Sequence, residues 1–111
     1  MEFNDYEQNA KATALYPKKA GVLYTSLGLA NESGEVLGKI KKIIRDFDGS
    51  FKDGVKEKRS DLEDELGDVL WYVTMLSVEI GSSLEQVAQR NNSKLLDRME
   101  RGKIKGSGDK R

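Results

Sequence analysis

An all-α subunit of four helices that assembles into an oligomeric bundle is what this sequence predicts. Three observations carry that reading. Apolar residues recur three and four apart over long stretches, the period of one helix face. Two serines, each with a glutamate three residues on, Ser60/Glu63 and Ser82/Glu85, read as capping boxes at helix starts. The 111 residues hold a single proline, which suits long helices better than a strand-rich fold. A chain of this length is one domain with a small core, so helix pairing between copies is an expected supplement.

The first helix is expected over 3–15. Asn4 caps it with Glu7 as reciprocal partner, and Tyr6, Ala10, Thr13 and Ala14 form a weak apolar stripe. Tyr16-Pro17 ends it, because proline disfavours helix in the residue before it. A long second helix covers 20–46. Leu23, Leu27, Ala30, Gly34, Leu37 and Ile44 form one stripe, and Val36, Ile40, Ile43 and Phe47 a second. Two apolar stripes predict packing on two sides, hence an oligomer. Residues 47–59, polar with two glycines, read as a mobile loop.

The third helix, 60–80, carries the clearest seam: Leu62, Leu66, Val69, Val73, Leu76 and Ile80. Glu65, Asp68 and Tyr72 share the adjacent strip, and Gly81 stops the helix. The fourth helix, 83–101, has Leu84, Val87, Ala88, Leu95 and Met99 on its apolar side, with Asn91, Lys94 and Arg98 along one polar strip. The domain is therefore expected over 1–101, with 102–111 a flexible, basic, glycine-rich tail.

Composition closes several routes. Nineteen basic and nineteen acidic residues give no net charge, which argues against binding a nucleic-acid polymer. There is no cysteine, so neither a disulfide framework nor a thiolate metal site. There is no histidine, which excludes a histidine-based triad, a zinc–histidine site and the Glu-x-x-His di-iron signature. No run is apolar enough to span a bilayer or to serve as a signal peptide, so a cytoplasmic protein without membrane contact is expected.

The chemistry is expected at two acidic pairs, Glu32/Glu35 and Glu65/Asp68. Each has i, i+3 spacing, which puts both carboxylates on one helix face. Such a pair is commonly a solvated face. Here each pair encloses a glycine, Gly34 or Gly67, and a mid-helix glycine costs about 1 kcal/mol against alanine, so it calls for a packing or functional reason. Each pair also borders the apolar stripe of its helix. Four carboxylates converging from two helices would suit a hard cation, Mg²⁺ or Mn²⁺.

The segments Gly-Leu-Ala-Asn-Glu-Ser-Gly-Glu-Val (28–36), Asp-Glu-Leu-Gly-Asp-Val-Leu-Trp-Tyr (64–72) and Asn-Ser-Lys-Leu (92–95) together resemble the MazG-type family of all-α nucleoside triphosphate pyrophosphohydrolases. The family pattern E-x-x-E, spacer, E-x-x-D lands on Glu32, Glu35, Glu65 and Asp68, and its later asparagine and lysine on Asn91 and Lys94. The spacer, 36–64, stands at the long end for the family, and Asn31 replaces a frequent glycine. The resemblance implies Mg²⁺-dependent cleavage of a nucleoside triphosphate, with deoxynucleotides the expected class, into monophosphate and pyrophosphate. It implies metal and catalytic roles for the four carboxylates; the pattern itself does not single out a general base, for which Glu32 or Glu35 is the expectation. Substrate contacts fall to Lys39, Tyr72, Asn91, Lys94 and Arg98, since lysine and arginine are the usual phosphate partners. A homodimer or homotetramer is implied as well. Two rivals stand beside this: a non-catalytic helical oligomer serving as a regulatory or interaction module, and a metal-storage bundle, which the missing histidine disfavours.

Overall fold

A computed structural model describes all 111 residues. It is all-helical: α1 (Phe3–Ala12), a 3₁₀ turn (Lys18–Ala20), α2 (Gly21–Asp46), α3 (Phe51–Glu57), α4 (Arg59–Glu79) and α5 (Leu84–Glu100). The fourfold helix count is corrected to five by α3, which lies in the stretch expected to be loop. Ser50 starts α3 by accepting from the Asp53 N–H at 3.1 Å. Gly54 lets it close on α2, since a Cβ there would stand 2.6 Å from Ile43 Cγ2.

Local caps differ from the expected ones. In α1 the Asp5 carboxylate accepts from the Glu2 N–H, and Asn4 does not cap. The helix stops at Ala12, where the Thr13 hydroxyl donates to the Ala10 carbonyl. α4 begins at Arg59 with no side-chain cap, so Ser60/Glu63 is no capping box. Gly81, at φ 79°, ends α4 as expected, with Gly81 and Ser82 donating back to Val78 and Ser77. That engages the Ser82 N–H, and Ser83 rather than Ser82 caps α5 by accepting from Gln86.

α2 and α4 form the main antiparallel pair, with α1 and α5 docked on α4. The core comprises Ala10, Ala14, Tyr16 and Met75, with Tyr6, Trp71 and Val78 against it. Glu7 is buried and accepts from the Leu84 N–H at 2.9 Å, so it tethers α1 to the start of α5. The α2–α4 contact is built from small residues. Gly21 and Gly28 leave room for Glu79 and Tyr72, and both Thr25 and Thr74 are fully buried. The two threonine hydroxyls bond the carbonyls of Gly21 and Leu70 on their own helices, so neither leaves an unpaired polar group.

The apolar stripes lie elsewhere. Leu23, Leu27, Leu37 and Ile44 of α2 are exposed, and so are Leu66 and Ile80 of the expected α4 seam. The residues of α4 that meet α2 are instead Asp68, Tyr72 and Glu79, while Met75 packs with Ala10, Ala14 and Tyr16. No helix is long and apolar enough to cross a membrane.

Candidate metal centre

The glycine contacts set the register that creates the site. Gly21 faces Glu79 and Gly28 faces Tyr72, seven residues apart on each helix. Continuing α2 by one turn brings Glu32 to Asp68. Ligand oxygens of Glu32, Glu65 and Asp68 lie within 4.8 Å of one another. Glu35 stands outside that trio and is exposed, although its charge reaches Glu32. Lys39 places its Nζ 3.7 Å from Glu65 Oε1, the one cation paired within the acidic group.

Burial pushes the Glu32 carboxyl above its ordinary value, and the charge of Asp68 adds to the shift, followed by weaker contributions from Glu35 and Glu65. The Asn31 amide, 3.5 Å away, opposes it. Burial also raises the Tyr72 and Tyr6 phenols, with Asp68 contributing to both. Tyr24 adds to the Tyr72 shift, and its ring lies 6.4 Å from that of Tyr72. Negative charge is thus held close under a wall of tyrosines. Oxygen donors without histidine or cysteine fit a hard divalent cation, which would relieve the repulsion.

The other expected site residues separate into two places. Tyr72 lies beside the carboxylates. Asn91, Lys94 and Arg98 lie on α5, which packs on α1 and α4 and does not meet α2. Asn91 and Lys94 line a cleft of about 640 Å³ with Arg90 and Asp109. Gly34 and Gly67 have nothing near their Cβ positions within the chain, so the packing reason expected for them falls instead to Gly21 and Gly28. Tyr6 and Tyr24 were not marked by the sequence, because an aromatic on an amphipathic helix reads as core.

The MazG nucleotide pyrophosphohydrolase domain matches residues 22–102, which contain every carboxylate of the site. The Gene 37 protein of Mycobacterium phage L5 is 44% identical over 117 aligned residues, covering all of both chains. No solved structure matches the chain. A match over most of its length, with both acidic motifs inside it, means that this chain belongs to the MazG nucleotide pyrophosphohydrolase family.

Proposed function

We propose that the protein is a Mg²⁺-dependent nucleoside triphosphate pyrophosphohydrolase that acts on deoxynucleotides, releasing monophosphate and pyrophosphate. The observation that carries this is the three-carboxylate group of Glu32, Glu65 and Asp68 on two helices of a MazG-family chain. These three residues would hold the cation, Mg²⁺ or in its place Mn²⁺, with Glu35, the fourth motif carboxylate, standing outside them. When bound, the ion neutralises phosphate charge and acidifies a water ligand.

The chain's own groups do the rest. Glu35, exposed and outside the trio, is free to take a proton from the attacking water. Lys39 offsets charge at Glu65. Lys94 and Arg98 take the outer phosphates, with Asn91 beside them, and Tyr72 lies at the nucleotide end. Within one chain α5 meets α4 but not α2, which supports a substrate site completed by helices of a second copy.

A homo-oligomer is therefore part of the proposal. Its support is the exposed stripe of α2 and a radius of gyration of 17.0 Å, against about 13 Å for a compact domain of this length. A non-catalytic oligomer would share that surface but would show no metal-dependent turnover. Incubation with a nucleotide panel and Mg²⁺ in ¹⁸O-labelled water tests the reading. Label is expected in the monophosphate, with pyrophosphate released. Label only in orthophosphate, with diphosphate accumulating, would reverse the pose.

A further inference from the structure

Residues 102–111 fold back on α5 as one compact loop. Gly102 turns the chain at φ 66°, and Gly106 and Gly108 reverse it at φ 119° and 88°, values that glycine accepts without strain. Arg111 closes the loop by donating to the carbonyls of Lys103, Ile104 and Gly108 at 3.2, 3.0 and 2.8 Å. Arg101 donates to the Arg111 oxygen at 2.7 Å.

What this loop delivers to α5 is Asp109. Its Oδ1 accepts from Lys94 Nζ at 2.8 Å and from Arg98 Nη2 at 3.2 Å. Its main-chain oxygen accepts from the same Nη2 at 2.5 Å. One carboxylate oxygen thus serves both cations. Arg98 is only 5% exposed, yet its Nε has no acceptor. A buried guanidinium normally satisfies its donors, and it binds oxyanions best through two parallel hydrogen bonds. Asp109 leaves that fit incomplete. Its side chain is 79% exposed and that of Lys94 40%, so the Lys94–Asp109 pair is weakly held. A phosphate group has more oxygens and more charge for the same donors.

We propose that Lys94 and Arg98 form a polyphosphate site in which the Asp109 carboxylate is an internal occupant, and that the tail loop leaves as the phosphates enter. The proposal rests on the reading above that these cations take the outer phosphates. The loop is braced by Arg111, so it swings as a unit about Gly102. Because it is tethered, Asp109 competes at a high local concentration. It lowers the affinity for every phosphate ligand of the site and reoccupies the site when pyrophosphate departs.

The test uses inorganic pyrophosphate and the full-length protein in EDTA. Calorimetry compares the wild type with Asp109→Asn, Asp109→Ala and Asp109→Asn combined with Lys94→Gln. Removing the internal carboxylate is expected to tighten pyrophosphate binding roughly two- to fivefold, the range of an exposed ion pair, and the added Lys94→Gln should abolish that gain. Pyrophosphate should also speed tryptic cleavage after Lys103 and Lys105 in the wild type. Unchanged or weaker binding by both single variants would show that Asp109 merely holds the cations in place, and would overturn the proposal. So would a tail that pyrophosphate leaves equally resistant to trypsin. Neither measurement needs metal or turnover. An inactive protein with this binding pattern would defeat only the catalytic reading, and an active one without it only this proposal.

Discussion

The ring of Tyr72 occupies the space that a side chain at position 28 would fill, so Gly28 is what lets α4 lie against α2 at the edge of the carboxylates. Gly28→Ala gains about 1 kcal/mol of helix propensity but forces the ring aside, which costs about 1–3 kcal/mol. A net loss with a lower Tm is expected. The same change in a Tyr72→Leu background should be far milder, because the two positions are coupled. Equal effects in both backgrounds, read by thermal denaturation, would show that the ring is not the obstacle.

Glu32 should make stability depend on pH and, under the proposed function, on metal. Burial and the neighbouring Asp68 charge raise its pKa in the folded chain. Its protonated form therefore favours folding below about pH 4.3, the ordinary glutamate value, and that contribution is lost as pH rises through the raised value. In EDTA at pH 7, Glu32→Gln should raise the Tm, with no gain at pH 4. Mg²⁺ should stabilise the wild type at pH 7 and the variant much less. Thermal scans in the four conditions decide it.

Asp68→Asn and Glu35→Gln should each abolish turnover with the helical content unchanged. They should part in metal binding. Asp68 belongs to the close trio, so its loss should weaken Mg²⁺ binding about tenfold or more. Glu35→Gln should bind the ion nearer to wild-type strength. Wild-type turnover in either variant would sink the four-carboxylate site.

Lys94→Ala should act chiefly on KM. A charge-assisted contact of about 1.5–3 kcal/mol predicts a rise of roughly tenfold or more, with kcat little changed. An unchanged KM in steady-state assays would remove Lys94 from the substrate site.

Association should respond to the exposed stripe of α2. Leu37→Lys should weaken the oligomer and leave the chain's own helices intact, since Leu37 packs against little within its own chain. Sedimentation of the wild type as a compact monomer at micromolar concentration would end the oligomer proposal.

The long helices were legible because their apolar period is strong, and Gly81 marked the end of α4 by its backbone freedom alone. The acidic motifs were legible as spacing, and three of their carboxylates do meet. Two things were hidden. Helix α3 is short and starts from Ser50 within a polar stretch, where helical periodicity has no room to develop. The face joining α2 to α4 was the larger surprise. It is made of Gly21 and Gly28 against Glu79 and Tyr72, none of which adds to an apolar stripe, while the leucines that do are left outside. Hydrophobic pattern says which residues seek cover, and one chain does not supply it all.

The close glycine contacts of the α2–α4 pair lie at Gly21 and Gly28, on the side of the carboxylates away from α3. The hairpin is therefore clasped at its open end. Its closed end, residues 47–58, is held by a separate contact, Gly54 against Ile43 and Phe47. A change in that segment should therefore disturb the alignment of Glu32 with Asp68 less than a side chain added at Gly21 or Gly28, whose contacts lie on the clasp itself.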